Sequence, residues 1–112
     1  MKSKELKVTV GGKEYAVKYP STGQLIDIAV YESALSKGMI SNLAGSNQPN
    51  AIDAYVFIKV IAFAEVVMPE MVKSMGVSSL AQLPPQDLQE IINVYRNEIY
   101  AWLNDATDNK PA

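Results

Sequence analysis

Residues 6–19 read LKVTVGGKEYAVKY, and the fold is decided from this stretch outward. Leu6, Val8 and Val10 alternate with Lys7 and Thr9; after Gly11 and Gly12, Tyr15, Val17 and Tyr19 alternate with Glu14, Ala16 and Lys18. A period of two sends successive side chains to opposite faces of a strand. Two glycines between such segments supply the positive φ angles of a two-residue turn, so a β-hairpin over residues 5–19 is predicted. One face is apolar (Leu6, Val8, Val10, Tyr15, Val17 and Tyr19) and the other is charged. A lone two-stranded hairpin is marginal in water, so the apolar face must lie on helices or on another subunit.

Past the hairpin the period changes from two to that of helices. Pro20 ends the second strand, and Ser21-Thr22-Gly23-Gln24 suits a helix start in which Ser21 caps and Gln24 returns the bond. Leu25, Ile28, Ala29 and Leu35 mark the apolar side of this first helix, widened by Ile26 and Val30, and Gly38 after Lys37 is its terminator. SNLAGSNQPN, residues 41–50, is turn-rich and reads as a loop. A second helix opens at Pro49 or Asn50 and is apolar nearly all round, with only Lys59 and Glu65 charged between Ala54 and Met68, so it is expected at the centre of the packing. Pro69 should kink or restart it. Residues 79–83 read as a short helical turn. The closing helix, from about 85 to 104, carries Leu88, Ile91, Ile92, Tyr95, Ile99, Trp102 and Leu103 on one side. The order is α+β: a hairpin, then three main helices in a compact bundle. One domain is expected over residues 1–112, with the hairpin at 5–19, a helical part at 21–105 and a polar tail at 106–112.

Composition narrows the chemistry. The 112 residues include no Cys and no His, and 10 basic side chains stand against 12 acidic ones. Without Cys there is no thiol nucleophile and no thiolate zinc site, and without His the commonest neutral-pH base and metal ligand are missing. A net charge of -2, with Arg96 the single arginine, argues against a nucleic-acid surface. Residues 52–68 are the most apolar run, but Asp53, Lys59 and Glu65 interrupt it, which disfavours a membrane span. No apolar stretch follows Lys2 and Lys4, so no signal peptide is expected and the chain is read as intracellular.

Individual residues add no catalytic, cofactor or metal site. Gly11-Gly12 lacks the Lys and Ser or Thr of a phosphate loop and precedes a strand. Asp27, Glu32, Asp53, Glu65 and Glu70 are scattered, and Ser21, Ser33, Ser36 and Ser41 have no histidine to activate them. Lys59 and Glu65 lie six apart on different helix faces, so each is expected to reach the rim or a partner instead of pairing with the other. Met68, Met71 and Met75 fall at helical spacing, which suits core packing first and an adaptable apolar surface second. On the second reading Met68, Met71 and Met75, with Tyr15 and Val17 of the hairpin, are the candidate partner-binding residues. The residues by themselves point to a small α+β domain that is not an enzyme.

The pattern Val10-x-Gly12-x-x-Tyr15-x-Val17, followed by Leu25 and Ile28, resembles the opening of the small tail-assembly chaperones of long-tailed bacteriophages and of similar phage proteins from Bacteroidetes hosts. LPPQDLQEIINVYRNEIYAWL, residues 83–103, is similar to their closing helix. The 112 residues carry no acidic extension like that of the longer chaperone forms. The resemblance implies a hairpin plus compact helical domain with no cofactor, in the cytoplasm of a bacterial host. It implies a non-catalytic role: covering a long helical tape-measure protein until tube subunits assemble around it. A small virion structural or connector protein that self-associates through its hairpin edge is the alternative, so a homo-oligomer is also in view.

Overall fold

The structure, a computed structural model, describes residues 5–108, and of residues 105–108 the backbone alone. It is an α+β fold. Strands β1 (Glu5–Val10) and β2 (Lys13–Lys18) precede helices α1 (Thr22–Ser36), α2 (Ile40–Ala44), α3 (Pro49–Val67) and α4 (Pro69–Ser74). A 3-10 turn (Leu80–Gln82), α5 (Pro85–Val94), a π turn (Tyr95–Ile99) and α6 (Tyr100–Asp108) complete it. The contacts of the described residues group into two compact units: residues 5–19 with 84–108, and residues 20–83.

In the first unit, β1 and β2 pair antiparallel with Leu6 opposite Val17 and Val8 opposite Tyr15, the register that puts the apolar set on one face. Gly11 and Gly12 have φ of 61° and 80°, the left-handed region a two-residue hairpin turn demands. Val8, Val10 and Val17 are buried, and β1 packs on α5, whose Leu88, Ile91, Ile92 and Val94 are also buried. Burying each such side chain contributes about 1.5–3 kcal/mol, which a bare hairpin lacks. Polar and aromatic contacts fasten both ends. The Gly11 N–H donates to the Glu90 carboxylate at 3.0 Å, and the Tyr19 ring stacks on Trp102 with centroids 4.4 Å apart and planes at 13°. The Tyr19 hydroxyl donates to the Trp102 carbonyl at 3.4 Å.

The closing helix differs from its sequence reading in two ways. It passes through a π turn, in which the Tyr100 N–H donates to the Tyr95 carbonyl five residues back. It then runs to Asp108, so residues 106–108 of the expected polar tail are helical; residues 109–112 lie outside the described part. No glycine or proline stands between Asn104 and Asp108, so nothing local stops the backbone bonds.

The second unit is built around α3, against which α1, α2, α4 and the 3-10 turn all pack. Residues Val60, Ile61, Ala62, Phe63 and Ala64 are buried in succession, as an all-round apolar helix requires. Ser21 and Gln24 form the expected capping box, with Gln24 N–H to Ser21 Oγ at 3.1 Å and Ser21 N–H to Gln24 Oε1 at 2.9 Å. At the other end Lys37 itself takes the left-handed conformation (φ 56°), with Gly38 following, and the Gly38 N–H closes on the Ser33 carbonyl at 2.8 Å. The stretch read as a loop holds α2, because Ile40 and Leu43, three apart, are half-buried where α2 meets α3. Met68 breaks the helix ahead of Pro69 (φ −127°, ψ 54°), and α4 starts afresh with proline in its first turn.

Candidate interaction surface

Lys59 and Glu65 of α3 take different partners, both on or beside α1. Lys59 Nζ lies 3.1 Å from the buried Glu32 carboxylate. Glu65 is the hub of a larger cluster: the Tyr31 hydroxyl donates to one of its oxygens, and the Ser79 hydroxyl and Leu80 N–H each donate to the other at 2.7 Å. Ser79 Oγ also accepts from the Ala81 N–H at 3.1 Å, capping the 3-10 turn. Burial first, then the bond to Glu65, raises the Tyr31 phenol above its ordinary pKa, although its contact with Ser79 works in the opposite direction. Ser36, also buried, donates to the Ser33 carbonyl at 3.2 Å.

These pairings give α1 a packed side of mixed polarity. Its buried side carries Glu32 and Ser36, while Ile28, Tyr31 and Leu35 are half-buried. The side marked as apolar in the sequence is thus packed only in part: Ile28 and Leu35 share it with the buried Glu32 and Ser36, while Leu25 and Ala29 are exposed, as are Ile26 and Val30. Polar pairing to α3 and apolar packing share this side, and because α1 has apolar side chains around most of its girth, the surplus of Ile26 and Val30 is left on the open face. Leaving Lys59 and Glu65 of α3 unpaired on burial would cost more than exposing a few aliphatic side chains.

The outcome is an uncovered apolar face at Ile26 and Val30, with Leu25 open at the start of the helix. Leu25, Ile26 and Val30 are 54%, 59% and 63% exposed, and Met39 and Ile52 of the same unit are also open. Ile26 and Val30 stand four apart on the same helix face, flanked by the small residues Ala29, Ser33 and Ala34, all exposed. Such large exposed apolar residues on a neighbouring helical spacing are the mark of a contact surface.

The residues singled out from sequence lie elsewhere. Met68, Met71 and Val17 are buried, Met71 and Val17 almost completely, so their side chains are occupied by packing. Met75 and Tyr15 are half-buried; the Lys13 amine sits 5.6 Å from the Tyr15 ring centroid. Tyr15 and Val17 belong to the hairpin unit, and the three methionines to residues 20–83. The α1 face was missed because its residues were spent on an assumed core. Its signal was the surplus of apolar positions around α1.

Among the described residues no helix is long and apolar enough to cross a membrane. No protein family, curated protein or solved structure matches the chain.

Proposed function

We propose that this chain is a non-catalytic binding protein that covers an apolar helical segment of a structural partner, in the manner of the phage tail-assembly chaperones it resembles. The observation that carries the reading is the exposed pair Ile26 and Val30 on one face of α1, with Leu25 also exposed at the start of the helix. An apolar helix face flanked by small side chains accepts a second helix at close range. The partner by this reading is a tape-measure protein, met in the cytoplasm of the bacterial host without cofactor, nucleic acid or membrane.

Co-expression with a long helical tape-measure protein tests it. The partner is expected to become soluble and to elute with the chain in gel filtration, and Val30→Glu is expected to abolish both effects. A partner that stays equally insoluble, with no complex in gel filtration, overturns the reading.

A second reading is kept for one observation: the sheet has only two strands, so each has an edge that no further described strand pairs. A connector assembling through that edge would form a defined ring and remain in purified particles, whereas a chaperone would be absent from them.

A further inference from the structure

We infer that the free edge of β2 pairs antiparallel with the same edge of a second copy of this chain, about a two-fold axis at Ala16. The pairing rests on the reading of a hairpin edge that self-associates, and it names the strand, the register and the partner. In a hairpin closed by a two-residue turn, the residues flanking the turn exchange both backbone bonds, and every second pair along the ladder does the same. With Val10 opposite Lys13, the β2 residues whose backbone groups turn to β1 are Lys13, Tyr15 and Val17. The N–H and C=O groups of Glu14, Ala16 and Lys18 therefore point away from β1, and none of them has a partner among the described residues. Gly12 lies in the turn, and Pro20, next in the outward series, has no N–H to donate. The edge that can bond thus runs from Glu14 to Lys18, with Ala16 at its centre.

An axis at Ala16 is the register that uses all of these groups. Ala16 then meets Ala16 of the other copy, and Glu14 meets Lys18 at both ends. The side chains of Glu14, Ala16 and Lys18 share the outer face of the sheet and are exposed, and neither charged group has an ion-pair partner among the described residues. Lys18 comes to stand between Glu5, its neighbour across its own hairpin, and Glu14 of the other copy. On the opposite face the half-buried Tyr15 comes beside Val17 of the other copy and carries the apolar face across the axis. The β1 edge does not suit the same use. Its outward residues are Glu5, Lys7 and Thr9, and the matching axis falls on Lys7, which sets like charges directly opposite. The contact is isologous and closes at two copies, turning the two-stranded sheet into one of four strands.

Sedimentation equilibrium of the full chain at low salt, from about 5 to about 500 µM, tests the pairing, and a monomer–dimer equilibrium is expected. Ala16→Pro removes the N–H at the axis without removing a hairpin bond, and is expected to weaken the dimer at least tenfold. Glu14→Lys and Lys18→Glu are each expected to weaken it several-fold. An equimolar mixture of these two variants should pair more tightly than either alone, since each supplies the charge the other has lost. Circular dichroism checks that every variant is folded. In the wild-type chain, hydrogen exchange of the Ala16 amide should slow as concentration rises, while that of the Lys7 amide should not. A dimer whose Ala16 amide exchanges as in dilute solution, or a mixture no tighter than the single variants, overturns the inference and leaves self-association by another edge standing. So does an assembly larger than two copies. A monomer throughout the range overturns both the inference and the reading it rests on.

Discussion

Glu65 shows how much of the second unit hangs on one side chain. Its two oxygens accept from Tyr31, Ser79 and the Leu80 backbone, joining α1, α3 and the 3-10 turn. Glu65→Ala leaves those donors without their acceptor and is expected to cost about 2–3 kcal/mol in urea unfolding, more than the loss of one ordinary hydrogen bond. Tyr31 makes the cluster sensitive to alkali. Folding holds its proton more tightly than the unfolded chain does, so its pKa is raised. The stability this brings is whole below the unfolded phenol's pKa of about 10 and is lost as pH climbs through the higher folded value. Unfolding curves taken across that window should show wild type losing stability that Tyr31→Phe does not lose. That Lys59 and Glu65 would not pair with each other was legible from their spacing. That their partners would be Glu32 and Tyr31 was not, since those residues lie about thirty positions away and only the packing of α1 on α3 brings them together.

Among the elements, those with local determinants were read correctly. The Gly11-Gly12 turn and the Ser21 capping box each depend on a few adjacent residues and their backbone preferences. The turn offers a clean test, because a Cβ at Gly12 would meet nothing within 4 Å while its φ of 80° is disfavoured for any L-residue with a side chain. Gly12→Ala should therefore destabilise by about 1 kcal/mol through backbone strain alone. Gly45→Ala is the matched control: Gly45 has φ −89°, and its added Cβ would make an ordinary contact with the Ser41 carbonyl at 3.6 Å. Thermal unfolding should show it neutral or slightly stabilised. The elements misread were those whose shape depends on what they touch. Helix α2 was taken for loop because Gly, Asn and Ser surround Ile40 and Leu43, and the π turn within the closing helix leaves no mark in the apolar spacing. On α1 the spacing was real, but it described more than one face.

At the scale of the molecule, the hairpin and the closing helix belong together: their unit is built from residues separated by all of residues 20–83. Trp102, the single tryptophan, stacks on Tyr19 within that unit and is buried, so its emission is a local reporter. Tyr19→Ala removes the stacked ring and is expected to lower the stability followed by Trp102 fluorescence in urea by about 2 kcal/mol. A fluorescence midpoint unchanged by the substitution would deny the stack its role. By itself the sequence determined the α+β order, the hairpin register, the helix caps and the break at Pro69, because these follow from period, positive φ and missing or supplied backbone donors within a few residues. Only the tertiary structure decided that the closing helix lies with the hairpin and that α1 turns Glu32 inward and Ile26 and Val30 outward. Both choices rest on groups far apart in the chain: Gly11 with Glu90 and Tyr19 with Trp102 in one unit, Glu32 with Lys59 and Tyr31 with Glu65 in the other. Buried polar groups must find partners wherever the chain supplies them, and that requirement placed Glu32 among the packed residues of α1 while Ile26 and Val30 stay in water.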